Sequence, residues 1–271
     1  MKQQRGSLWF EVLMCLTAVV FIFPVFLVLL NSFKTDQQIT LNPISLPTSF
    51  SFANYQAAWE QTQFPVVFGN TLVITLLSTV GIILISSMAA YVLARSKTKV
   101  SWIIYLLFTF SMVVPFHTIM VPLVSLAKEL NLKSVLGIIP IYLGLGCPAA
   151  IFMYHGFIKG VPLEIEESAA LDGASVPRTF FWLVFPLLTP ITATIAILDV
   201  LWIWNDFLLP LIILPKQATI QLAQFGFFGM YRKQFSLAMA SLVLSASPVV
   251  IFYLIMQKYI VKGIAAGAVK G

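Results

Sequence analysis

The chain has 271 residues, of which 59% are hydrophobic and only 10% charged, against about 25% charged in an ordinary soluble domain. So few charges cannot cover a globular surface with polar groups, which excludes a soluble globular protein and points to lipid as part of the solvent. The net charge is +6, but the basic residues are scattered and not striped, which excludes a nucleic-acid-binding face.

The first ten residues, MKQQRGSLWF, resemble the start of a secretion signal. The apolar stretch Val12 to Leu30 is too long for a signal core, however, and no small-x-small cleavage site follows it. It reads as a retained first span. About 20 apolar residues cross a bilayer as a helix. Six segments reach that length, at about 10–31, 68–93, 101–125, 134–158, 183–213 and 236–261. The fifth is overlong and carries Pro186, Pro190 and Pro210, so an interfacial helix that kinks on entering the membrane is expected there. The chain is thus expected to be a single all-α transmembrane domain, 1–271, with six transmembrane helices.

Lys and Arg gather in cytoplasmic loops. With both termini cytoplasmic, Lys2, Arg5, Arg95, Lys97, Lys99, Lys159, Arg178, Lys258, Lys262 and Lys270 lie inside, and Lys34, Lys128, Lys133, Lys216, Arg232 and Lys233 lie outside. That split of ten against six favours this orientation. It makes the first external loop long, about 32–67, suited to a docking surface or a cap over the bundle.

In the same orientation, 159–186 is a cytoplasmic loop. Four of the ten acidic residues, Glu164, Glu166, Glu167 and Asp172, fall within nine positions there. Pro162 suits a first helical turn, and the glutamates sit where the helix dipole favours acids. Gly173 is a natural stop, and Pro177 opposes continuation. A short helix is expected over about 163–172, followed by a turn and a second helix leading to Phe185-Pro186. Ala169, Ala170, Gly173 and Ala174 would let another backbone approach closely. Ile165 and Leu171 would supply apolar grip. Read from the residues alone, this is either a docking knob for a cytoplasmic partner or an acid-rich loop in water. Glu164 and Glu166 read simply as favouring the helix start.

In the fifth segment Asp199, Trp202 and Asp206 share a helical face, with Asn205 adjacent. Charges at that depth usually face a cavity or a partner. Carboxylates and amides bond hydroxyls and an indole packs on a sugar ring, so a solute path is one reading. Helix-to-helix hydrogen bonds and an interfacial Trp belt are the other. His117, near the outer part of the third segment, lines the same path on the first reading; His155 reads as structural. Cys15 and Cys147 read as buried small hydrophobes. No metal-ligand spacing, clustered nucleophile–base constellation or G-x-x-x-x-G-K-[ST] phosphate loop is present.

Glu167-Ser168-Ala169, three residues, Gly173, nine residues, then Leu183-Val184-Phe185-Pro186 resembles the "EAA" motif of ABC importer permeases. The stretch from Glu167 through Asp172 to Ala174 is similar to its longer form in carbohydrate importers. NYQAAW at 54–59, NTLVIT at 70–75, WNDFLLPLI at 204–212 and KGIAAGAVKG at 262–271 resemble other stretches of the maltose-type permeases. The resemblance spans the chain and implies a type I ABC importer permease fold with a cytoplasmic coupling helix. It implies that Glu167, Ser168, Ala169, Asp172, Gly173 and Ala174 couple to an ATPase, and that the tail 263–271, with Gly267, Lys270 and Gly271, reaches between ATPase subunits. Implied partners are a second permease, two ATPase subunits and an extracellular solute-binding protein, in the cell (inner) membrane. ATP and Mg would bind the ATPase, with no cofactor or metal on this chain. The implied cargo is a sugar or oligosaccharide; similar permeases also carry glycerol phosphate and other polyol-like solutes. An ion-driven secondary transporter would fit the spans but leaves the motif spacing unexplained.

Overall fold

The computed structural model describes residues 8–215, 218–229 and 234–268. In chain order these form α1 (Leu8–Asn31), α2 (Asp36–Leu41), α3 (Ala53–Gln61), α4 (Phe64–Arg95), α5 (Lys99–Ser111), α6 (Phe116–Glu129), α7 (Ile138–Ile158), α8 (Glu164–Leu171) and α9 (Val176–Thr179). A π-helical turn, Phe180–Val184, leads into α10 (Phe185–Leu187), α11 (Thr189–Asn205), α12 (Leu208–Ile213), α13 (Ile220–Phe225) and α14 (Phe235–Ala268). Four helices, α1, α4, α7 and α14, are long and apolar enough to cross a membrane, and six spans result if each of two bent pairs counts as one.

One bent pair replaces a straight segment expected from hydropathy; the other falls in the fifth segment, where a kink is expected. The stretch 101–125 is not one helix: α5 and α6 meet at 102°. Pro115 lies at the break, and a residue preceding proline is pushed out of the helical region. In the fifth segment, the helices over 176–187 and 189–205 meet at 76°. Pro190 has no N–H to give to the Pro186 carbonyl, and the Thr189 hydroxyl donates to that oxygen instead, at 2.6 Å. The segment breaks again after Asn205, so 183–213 is built of helical pieces and not of one continuous helix.

α4 and α7 form the centre of the molecule. Ile74, Ile82, Tyr142, Ile151, Tyr154 and Ile158 are buried in one continuous core. Close packing there depends on Gly146: a Cβ at that position would lie 2.5 Å from the Ile82 Cδ1. His155 is buried and stacks on Tyr105, with ring centroids 3.8 Å apart, a packing role. Cys147 is buried, whereas Cys15 is exposed on α1 because α1 turns most of its apolar surface away from the chain.

The 32–67 segment caps one end of the bundle. Thr35 and Gln38 form a reciprocal capping box at the start of α2. Phe33 packs edge-on against Phe50 and Phe52. Lys34 is fully buried, its Nζ donating to the carbonyls of Pro43 (2.9 Å) and Asn42 (3.3 Å), and burial pulls its ammonium below the ordinary lysine value. Ala58 of α3 packs with Leu237, Ala238 and Ala240 of α14. At the opposite terminus, α14 continues through Ala268, so the segment expected to be a loose tail from Gly263 is helical as far as it is described. Its alanines favour helix. Gly267 lies in that helix; Lys270 and Gly271 lie outside the described residues.

Candidate functional site

The loop between α7 and α11 is built around α8. The N–H groups of Glu166 and Glu167 both donate to the Leu163 carbonyl, at 2.9 and 3.0 Å, and three glutamates occupy the first turn. They then point to different environments. Glu167 and Ser168 are exposed, and the Ser168 hydroxyl donates back to the Glu164 carbonyl at 2.8 Å. Ala169 is the buried residue of α8, facing its own chain.

Glu166 turns toward α4. One carboxylate oxygen accepts from Arg95 Nε at 2.8 Å and lies 2.6 Å from a terminal guanidinium nitrogen. The other accepts from the Tyr91 hydroxyl at 2.8 Å. The same arginine donates to the Val161 carbonyl at 3.0 Å. Only 10% of the Glu166 side chain and 20% of the Arg95 side chain remain exposed. Sequence reasoning treated Glu166 as an aid to the helix start and Arg95 as a topological marker. The four-residue spacing of Tyr91 and Arg95 at the end of α4 is the signal that could have joined them.

α8 ends in a Schellman turn. The Ala174 N–H donates to the Ala169 carbonyl at 2.9 Å and the Gly173 N–H to the Ala170 carbonyl at 3.1 Å. Gly173 has φ +79°, a conformation in which side chains with a Cβ are strained. Nothing lies within 4 Å of where its Cβ would be, so glycine is needed for the backbone and the space beside it is open. Leu171 is 90% exposed at the tip and Trp182 77% exposed nearby. Between α8 and the helix after it lies a groove of about 470 Å³ floored by Ala169 and Ala174 and edged by Asp172 and Arg178. The arrangement is a rigid corner presenting small residues, one apolar tip and the free carboxylates of Glu167 and Asp172.

The residues expected on a solute path are divided by the structure. Trp202 and Asp206 line a cleft of about 510 Å³ where the α5–α6 bend meets the end of α11, with Ser111, Phe116 and Pro148. Asn205 does not join them: it lines a separate opening of about 590 Å³ with Gln221 and Gln224, and its amide donates to the Leu201 carbonyl at 2.7 Å. His117 is exposed beside Phe116 and outside the cleft lining. Asp206 is already engaged. Its Oδ1 accepts from Leu208 N–H (3.0 Å) at the start of α12, and its Oδ2 accepts from Tyr142 Oη (2.9 Å). Trp204 donates to the Ser245 carbonyl at 3.1 Å. Asp199 lies half-buried within α11, with Oδ2 buried and without a partner among the described residues. Among those residues no group of three His, Cys, Asp or Glu side chains could hold a metal ion.

Long apolar helices, two sharply broken spans and a polar helical corner between spans define a multi-pass helical membrane permease. Residues 81–266 match the family model described as "Binding-protein-dependent transport system inner membrane component", and the chain belongs to that family. It is 42% identical over 255 residues to the "Probable starch degradation products transport system permease protein AmyC" of Thermoanaerobacterium thermosulfurigenes, covering 93% of each chain. It is 35% identical over 275 residues to the "Multiple sugar-binding transport system permease protein MsmG" of Streptococcus mutans, covering 99% of each. The fold is also that of a chain in the crystal structure of a bacterial ABC transporter involved in the import of the acidic polysaccharide alginate, with TM-score 0.78, 21% identity, and 92% of this chain and 94% of that one covered. The protein is a type I permease subunit of a binding-protein-dependent importer, and not itself an enzyme.

Proposed function

We propose that the permease imports a sugar or short oligosaccharide, and that the corner from Glu167 to Ala174 docks into a cytoplasmic ATPase. The cargo reading is carried by the relatives: one is named for starch degradation products and one for multiple sugars, with 93% and 99% of this chain aligned. The coupling reading is supported by the open space around Gly173 and the exposed Leu171, Glu167 and Ser168. In this reading two ATPase subunits bind ATP and Mg²⁺, a second permease completes the pathway, and an extracellular binding protein delivers the solute. Both termini then lie in the cytoplasm, as the ten-to-six division of Lys and Arg favours, and the C-terminal tail, with Gly267, Lys270 and Gly271, approaches the ATPase pair. Closure of the ATPases rocks the spans as rigid bodies.

Of the side chains considered for the solute path, Trp202 is the best supported. It is 40% exposed, lines the cleft and stands edge-on to Tyr142 at 5.5 Å, leaving ring surface for sugar C–H groups. Asp206 supports the cleft wall, and Asp199, whose Oδ2 has no partner among the described residues, lies deeper in the span. The test is uptake of labelled maltodextrins, raffinose and glycerol phosphate by proteoliposomes containing the complete importer, with and without its ATPase. ATP-dependent uptake of a saccharide is expected. Gradient-driven uptake by the permease without ATPase would overturn the coupling reading, and uptake of glycerol phosphate alone would overturn the cargo reading.

A further inference from the structure

The corner that would meet the ATPase is held to the membrane domain by little apolar contact. Within α8 only Ala169 is buried, and Leu171 points away from the chain. Val161 and Phe180 anchor the chain on either side of α8 in the core, but what ties α8 itself to the bundle is polar and comes from one turn of one helix. Tyr91 and Arg95, four residues apart, share a face at the end of α4.

From there they reach all three parts of the loop. Arg95 donates to the Val161 carbonyl, which lies before α8. Both residues bind the Glu166 carboxylate within α8. The Tyr91 ring packs on Phe180, beyond the Gly173 turn, with centroids 5.1 Å apart. Arg95 brings two nitrogens of its guanidinium fork to one Glu166 oxygen while Tyr91 holds the other, so the carboxylate is fixed in direction as well as distance, and the pair is largely shielded from water. α4 in turn packs along α7, in the centre of the molecule.

We propose that Glu166, Arg95 and Tyr91 are positioning residues that make the coupling corner and α4 move as one body, so that displacement of α8 by the ATPase is delivered to the central helices through α4. This rests on the coupling role proposed above. The carboxylate that transmits the motion is Glu166; its neighbour Glu167 remains free to face the partner. All of these contacts are made within this chain.

The experiment uses the complete importer in proteoliposomes, reading three quantities: ATPase retained with the permease, ATP hydrolysis stimulated by loaded binding protein, and solute imported per ATP. Glu166→Gln keeps an acceptor for Tyr91 but removes the charge that holds Arg95. Arg95→Lys keeps a charge but removes the fork. For both, ATPase retention is expected to stay at the parental level while solute imported per ATP falls roughly 2- to 30-fold, the range spanned by single residues in coupling networks. Tyr91→Phe, which keeps the ring on Phe180 and folds most conservatively, is expected to shift the same ratio by a smaller factor. Combining Tyr91→Phe with Glu166→Gln should depart from the product of the two single effects, since both act on the hydrogen bonds of one side chain.

An unchanged ratio in all three variants overturns the proposal. So does a proportional loss of retention, hydrolysis and import, which is what a merely structural role gives. Gly173→Asp is run in parallel. If it too leaves docking and import intact, the coupling role of the corner itself fails; if it abolishes import while the clamp variants behave as the parent, only the clamp fails.

Discussion

Asp36 caps the first turn of α14 from 200 positions away: its Oδ1 accepts the Ser236 N–H at 2.7 Å. The first turn of a helix has N–H groups with no intrahelical partner, and here one is satisfied by a side chain from the 32–67 cap. The bond ties that cap to the start of α14. Asp36→Ala is expected to lower stability by about 1 kcal/mol, read as earlier thermal unfolding in detergent. Asp36→Asn should recover most of the loss, because the amide oxygen still accepts. Equal losses in both variants would mean that the charge, and not the cap, matters at this position.

Gly173 carries φ +79° with empty space around it, so substitutions there separate conformation from bulk. Gly173→Val should strain the corner by about 1–2 kcal/mol and reduce import. Gly173→Asn, which tolerates the left-handed region better, should be the milder variant. Import assays on membranes with matched permease content decide this. A Gly173→Asn as damaging as Gly173→Val would point to the partner needing the space itself.

Gly146 faces the opposite constraint. Its backbone is ordinary helix, but a Cβ would meet Ile82. Gly146→Ala should destabilise by about 1–3 kcal/mol through overpacking. Ile82→Val removes the Cδ1 in the way, so the double variant should be more stable than the sum of the two singles predicts. Thermal unfolding of the four proteins measures the difference.

Asp199 buries a carboxylate oxygen that has no donor among the described residues. A buried polar group without a partner is costly, and a charged one more so. Asp199→Asn is therefore expected to raise the apparent melting temperature of the isolated permease. A fall would show that the carboxylate finds a donor outside this chain, in bound water.

Much of this architecture was legible in the sequence, and the limits have physical causes. α1, α4 and α7 stand out because uninterrupted apolar length is what a bilayer selects. The break at Pro115 did not, because mean hydropathy is the same for a straight helix and a bent pair. The corner at Gly173 was visible as a helix stop, since glycine is favoured where the backbone turns left-handed. Glu166 was misread because its partner Arg95 is 71 positions away, and spacing along a helix carries no information about such pairs. Asn205 was grouped with Asp206 because they are neighbours in sequence. The helix ends at Asn205 and Asp206 has extended backbone, with ψ 127°, and the two line different openings.

From Trp9 to Phe26 every residue of α1 is exposed, and burial begins only in its final turns, reaching Leu30 and Asn31. A 24-residue helix is about 36 Å long at 1.5 Å per residue, so α1 is a mast stepped at one end. Its tilt is set by surroundings and not by its own chain. The choice of detergent or lipid will therefore govern the first helix of the purified subunit far more than it governs the α4–α7 pair, and structures obtained in different solvents should diverge there first.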